Sequence, residues 1–217
     1  MTSYRIIQSG PSASFPDPHP LIARADRQGD AWIVVGLGAG YAYRAHQATT
    51  RSAPFVAIEL GTECLGVHTS ESSGSEGSNV VGFARFRLGK GDPTALVEVV
   101  RQPGTSPAAL EAARQVFESV GLKVAVCGDF PGRIVNRLIR PYFNDTLRRL
   151  DEGLASAADL DKTLCLGLGY PEGPIALLER TGLAEHHDVS EALHVALGQE
   201  QYLPARRAQV AKQRTER

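Results

Sequence analysis

The sequence has almost no net charge, few cysteines and no long apolar run. Its 23 Lys and Arg against 24 Asp and Glu leave a formal charge of −1. No basic field therefore favours nucleic acid or an anionic membrane surface as a partner. The three cysteines, Cys64, Cys127 and Cys165, fall at no metal-ligand spacing. Their odd number argues against a disulfide framework and for a reducing, cytoplasmic setting. No apolar stretch approaches the roughly 20 residues that span a bilayer. Residues 1–10 have neither a basic segment nor an apolar core, so no signal peptide is expected. No internal repeat recurs. What is present suffices for a core: 42% of the 217 residues are hydrophobic, enough for one large domain or two small ones.

The first half reads as alternating strands and helices. Tyr4 to Gln8 is a candidate strand, and residues 10–20 are turn chemistry with Pro11, Pro16, Pro18 and Pro20. Ala31 to Val35 is a buried strand, Ala-Trp-Ile-Val-Val. Gly36-Leu37-Gly38-Ala39-Gly40 follows at once. Glycines after a strand invite a dinucleotide-loop reading, with Gly36, Gly38 and Gly40 as cofactor contacts. The pattern is incomplete: the third glycine comes two residues after the second, and Tyr41 stands where glycine is wanted. Glu59 lies near the position, about 20 residues on, where an acidic residue belongs. The alternative is a glycine-rich strand end in a cramped α/β domain.

Tyr41 to Thr50 is a short helix and Phe55 to Ile58 a strand. Residues 69–78, rich in Ser, Gly and Glu, form a surface loop. Val80 to Arg87 and Ala95 to Val100 are strands. Pro107 to Val120 is a helix capped by Thr105 or Ser106 and ended by Gly121, and Lys123 to Cys127 is a strand. Short connections imply antiparallel members in the sheet.

At Pro131-Gly132 the character changes. Ile134, Val135, Leu138, Tyr142, Leu147 and Leu150 recur at the spacing of one buried helix face, so one long helix is expected over residues 132–150. Ser156 caps the next helix, with Asp159 three residues on. Shorter helices follow over residues 175–181 and 189–197, and residues 204–217 read as a solvated or frayed helix. The fold class is α/β followed by all-α: a truncated Rossmann-like sheet domain over residues 1–128, then a helical domain over residues 129–217. His186-His187-Asp188 reads as a solvated loop rather than a metal site. Arg137, Arg140, Arg148 and Arg149 read as a solvated face or a cradle for phosphates.

The second half also carries motifs in a familiar order. Pro131-Gly132-x-Ile134-Val135-Asn136-Arg137-Leu138, Pro141-Tyr142-x-Asn144, Glu152-Gly153, Asp159-Leu160-Asp161 and Leu166-Gly167-Leu168-Gly169-Tyr170-Pro171-x-Gly173-Pro174 resemble the C-terminal domain of the 3-hydroxyacyl-CoA dehydrogenases. The match covers about residues 120–183 and extends more weakly upstream. Leu96 to Val100 is similar to the strand carrying that family's catalytic glutamate, and Val80 to Phe86 to the strand carrying its histidine.

This resemblance implies NAD-dependent oxidation of a 3-hydroxyacyl-CoA to the 3-ketoacyl-CoA in acyl-CoA metabolism. A histidine oriented by a glutamate takes the hydroxyl proton, while asparagine and serine hold the substrate oxygen. Glu98 and Asn136 match the catalytic glutamate and asparagine. The histidine position is Ala84, and the serine position is Glu63 or Cys64. Loss of a general base typically costs on the order of 10²–10⁴ in rate. Arg85 cannot replace it, since guanidinium stays protonated; His68 is the nearest upstream histidine. On this alignment Ala31 to Val35 matches a late strand of the nucleotide domain, and the first pyrophosphate-binding unit is absent. The expectation is an NAD enzyme that is weak or inactive, or a non-catalytic protein that binds an acyl-CoA ester without a cofactor. Either would be a homodimer through the helical domain.

Overall fold

The computed structural model describes residues 2–69, 71 and 79–216, which divide into two compact units. The first holds residues up to Arg87 and Pro93–Arg133; the second holds Leu88–Asp92 and Ile134–Arg217. Most of the expected loop over residues 69–78 lies outside the described residues.

The first unit is built on a six-stranded sheet in the order β1 (Tyr4–Gln8), β2 (Ala31–Val35), β3 (Val56–Glu59), β4 (Val80–Arg85), β5 (Leu96–Arg101) and β6 (Lys123–Gly128). All neighbours are parallel except β4 and β5, which a ten-residue connection joins as an antiparallel pair. Strand alternation sorts the core into two layers. Ile33, Val35, Ala57, Val81, Phe83, Val97 and Val99 face the helix α4 (Pro107–Ser119) and pack on Ala109, Ala113, Val116 and Phe117. Val34, Val56, Ile58, Val80 and Val100 face the other way, onto Ala39 and Tyr43 of the helix α2 (Ala39–Thr50). Helices on both faces bury β4 from Val80 to Ala84. Two single helical turns escape the sequence reading: α1 (Pro20–Ala23) and α3 (Gly66–Thr69).

The second unit is helical. Its helix α5 (Val135–Asp151) starts three residues later than the periodicity suggests. Gly132 and Arg133 both have left-handed backbone, with φ of 73° and 56°, which a right-handed helix cannot contain. Pro141 lies inside α5 and can donate no bond to the carbonyl four residues back, that of Arg137. The hydroxyl of Tyr202 donates to that carbonyl instead, at 3.1 Å.

The next helix, α6 (Ala157–Leu168), is capped by Ser156, whose Oγ accepts from the Asp159 N–H at 3.1 Å. Asp161 on α6 caps α7 (Pro174–Thr181), its two oxygens accepting from the N–H groups of Ile175 and Ala176. That bond explains much of the Asp-Leu-Asp and Gly-x-Gly-Tyr-Pro motifs as a structural clasp. Then come α8 (Leu183–Leu197), a single 3₁₀ turn at Glu200–Tyr202, and α9 (Arg206–Thr215). The core here is Phe143, Leu147, Leu178, Ala205 and Ala208. The terminal helix is therefore docked along one face rather than solvated all round.

Candidate functional site

The antiparallel register sets Ala84 directly opposite Glu98. Both residues fall on the α2 face of the sheet, in phase with Val80 and Val100. Such cross-strand partners have Cβ atoms about 4.5–5.5 Å apart, within reach of one another's side chains. Glu98 is 1% exposed. A buried carboxylate needs a counter-charge, and it comes from Arg133, whose Nε lies 3.7 Å from Glu98 Oε2. Arg133 reaches inward from its left-handed backbone and donates through Nη2 to the Gly61 carbonyl. Burial pushes its pKa down, and the Glu98, Glu63 and Asp129 carboxylates oppose that push. Burial and the Glu98 charge push the neighbouring Cys127 thiol up to about 11, so it is no nucleophile at neutral pH.

The glycine run lies at the carboxyl end of β2, where open α/β sheets hold their ligands. Here the amides of Gly36, Leu37, Gly38 and Ala39 are already engaged. The Gly36 N–H donates to Glu59 Oε2 at 2.6 Å. Leu37 donates to the Pro11 carbonyl, Gly38 to that of Ser9 and Ala39 to that of Gly36. The other oxygen of Glu59 accepts from Ser12 Oγ at 3.0 Å and the Ser14 N–H at 2.7 Å. A pyrophosphate needs such N–H groups free. It would also meet a buried carboxylate; at 4 Å and an effective dielectric of 20 two like charges repel by about 4 kcal/mol. The residues present do not fit the phosphates of NAD at this loop.

Beside it is a cavity of about 150 Å³, lined in part by Gly40, Gly61, Glu63 and His68. His68 lies on the α3 turn rather than in a loop, and its Nε2 is 3.2 Å from Glu63 Oε1. That hydrogen bond helps hold the Glu63 carboxyl below its usual range, against the larger opposing effect of burial. Asp129 caps the same turn, its oxygens accepting from the N–H groups of Leu65 and Gly66.

In the helical unit Asn136 accepts from Arg140 Nε at 3.0 Å. Arg140 is 1% exposed, so it belongs neither to a solvated face nor to a phosphate cradle. Its Nη1 lies 3.0 Å from His186 Nδ1, and His186 Nε2 lies 2.9 Å from Asn144 Oδ1. The guanidinium must donate, so Nδ1 accepts and Nε2 carries the proton. Burial, then the Arg140 charge, depresses the His186 pKa to about 3. His186 is thus the fully buried centre of a polar network on α8, not part of a solvated loop. Nothing in the local sequence pattern marks it, because its partners lie 46 and 42 residues away. Arg148, half-buried, and Arg149, exposed, are engaged with neighbouring carbonyl and carboxylate groups of the same unit. Among the described residues no group of three or more His, Cys, Asp or Glu could hold a metal ion. An apolar cavity of about 290 Å³ opens between Ile139, Tyr142, Phe143, Tyr170, Pro174 and Leu177.

Comparison with known proteins gives this geometry its context. Residues 132–217 match the family model of the 3-hydroxyacyl-CoA dehydrogenase C-terminal domain. The chain is 35% identical over 109 residues to a 3-hydroxybutyryl-CoA dehydrogenase of Bradyrhizobium diazoefficiens, covering 50% of this chain and 37% of that protein. It is 44% identical over 88 residues to the mitochondrial hydroxyacyl-coenzyme A dehydrogenase of Sus scrofa, covering 41% of this chain and 28% of that protein. The chain thus spans well under half the length of these curated relatives. Among solved structures, the 3-hydroxybutyryl-CoA dehydrogenase of Escherichia coli superposes with a TM-score of 0.69 at 25% identity, over 90% of this chain and 41% of that one. The (S)-3-hydroxybutyryl-CoA dehydrogenase PaaH1 of Ralstonia eutropha gives 0.70 at 24% identity, over 84% and 64%, a likeness of fold. Residues 132–217 are thus, by sequence, a domain of the 3-hydroxyacyl-CoA dehydrogenase C-terminal family.

Proposed function

We propose that this chain binds an acyl-CoA ester without oxidising it, and that it works as a homodimer held by its helical unit. The observation that carries the reading is Ala84 opposite Glu98. Oxidation of a 3-hydroxyl requires a group that accepts the hydroxyl proton while hydride leaves. The methyl of Ala84 cannot do so, and the group that meets Glu98 is a guanidinium, which gives protons up only far above neutral pH. Glu98 is then a charge partner rather than an orienter of imidazole. Asn136, which holds Arg140 through Oδ1, is the candidate contact for the ester oxygen through its amide nitrogen.

The apolar cavity by Tyr142 and Leu177 suits an acyl chain in size and character. The dimer reading rests on α6, where Leu160 and Leu164 are half-buried and Leu166 and Leu168 stand exposed. An apolar helix left uncovered calls for a partner surface, and a second copy of the family's helical domain supplies one. Calorimetric titration with acetoacetyl-CoA tests the reading: saturable binding supports it, and no binding removes the ester as ligand.

A second reading keeps a slow NAD-dependent dehydrogenase with a displaced base. The His68–Glu63 contact at 3.2 Å favours it, since a carboxylate orients this imidazole much as Glu98 would have oriented one at position 84. Under that reading His68→Gln abolishes a measurable activity. Under the first there is no activity to abolish.

A further inference from the structure

The glycine run has an internal explanation at every position. Gly36 has a φ of 104°, and a side chain there would collide with the carbonyls of Ser9 and Gly10. A side chain at Gly38 would meet the Ser9 hydroxyl, and one at Gly40 would meet the His68 ring. Each glycine makes room for this chain's own atoms, not for a ligand's. The amide donors follow the same pattern. Those of Gly36, Leu37, Gly38 and Ala39 end on Glu59, Pro11, Ser9 and Gly36. Glu59 is 6% exposed and its two oxygens accept three hydrogen bonds, from Gly36, Ser12 and Ser14.

We infer that Glu59 is a built-in anion that closes this loop: its carboxylate takes the place of a bound phosphate, and the chain takes no dinucleotide at residues 36–40. The carboxylate draws in the Ser9–Ser14 segment, and that segment's carbonyls take the Leu37 and Gly38 donors. Ser14 carries the effect onward, its Oγ accepting from the Arg85 N–H at 3.1 Å and its carbonyl from Arg85 Nη1 at 2.9 Å. The device thus ties the glycine loop to the end of β4, beside Ala84. The cavity left at the loop, about 150 Å³, is well below the size of a dinucleotide pocket. This inference concerns the sheet unit alone and stands whether or not an acyl-CoA ester binds.

Amide hydrogen exchange of the intact chain, with and without NADH at about 1 mM, far above ordinary cofactor dissociation constants, tests it. The expected result is slow exchange at residues 36–39 in the free protein and no further protection on adding NADH. NADH-dependent protection of residues 36–40 overturns the inference. Glu59→Gln provides a second arm. The amide nitrogen of glutamine cannot accept, so at least one of the three donors loses its partner and the melting temperature falls by several degrees. Unchanged melting would show that Glu59 does not close the loop.

Discussion

Ala84 and Glu98 are direct partners across the antiparallel β4–β5 ladder, and Arg133 Nε sits 3.7 Å from the carboxylate. Position 84 offers that carboxylate only a methyl group. The Arg133 guanidinium, from the segment after β6, supplies the counter-charge. Glu98→Ala takes the largest counter-charge from that buried guanidinium, at a cost of about 3–5 kcal/mol. Replacing the pair together, Glu98→Leu with Arg133→Met, is expected to restore most of that loss. Urea denaturation of the three proteins measures it. Equal stability of Glu98→Ala and the parent chain would remove the charge-partner role.

Acid sensitivity of the helical unit follows from His186. Its folded pKa, about 3, lies below the ordinary 6.5, so the unfolded state binds more protons between these values. Stability is full above pH 6.5 and falls as pH drops towards 3. From pH 7 to pH 5 the loss is about 2 kcal/mol. His186→Leu flattens that slope, whatever it does to stability at pH 7, because the titrating group is gone. Denaturation midpoints at the two pH values decide it; an unchanged slope in the variant assigns the acid sensitivity elsewhere.

Chain length of the ester tests the apolar cavity. Each methylene buried there contributes about 0.8 kcal/mol, close to fourfold in affinity. Butyryl-, hexanoyl- and octanoyl-CoA are therefore expected to bind in rising order until the cavity is filled. Leu177→Trp, which fills it from one wall, removes the trend. Affinities that ignore chain length in the parent protein place the acyl group outside this cavity.

The uncovered face of α6 bears on assembly. Leu166 is 78% exposed and Leu168 62%. Sedimentation equilibrium is expected to give a dimer at micromolar concentration, and Leu166→Glu with Leu168→Glu a folded monomer. A monomeric parent chain, or a dimer unaffected by the two charges, contradicts the assignment of this face.

Local pattern reveals some of these features and hides others. The Ala-Trp-Ile-Val-Val strand, the Pro107 helix start and the Ser156 cap depend on neighbouring residues, and all are readable in the sequence. The start of α5 is hidden because Arg133 adopts a left-handed conformation that its residue type does not announce. The glycine run suggested a phosphate loop because sequence shows glycines but not what fills the space they leave. Ser9 and His68 fill it from distant segments. The burial of His186 is invisible in its own stretch because the Arg140 and Asn144 side chains that satisfy it come from another helix.

The most direct test of the central claim is turnover of NADH with acetoacetyl-CoA by the purified chain. Ordinary enzymes turn over at about 1–10³ s⁻¹, and loss of the general base alone removes about 10²–10⁴ of that. The account predicts no turnover above the rate without protein, in a sample that still binds the ester. Sustained NADH consumption in the ordinary range, lost on Glu98→Gln, would contradict it.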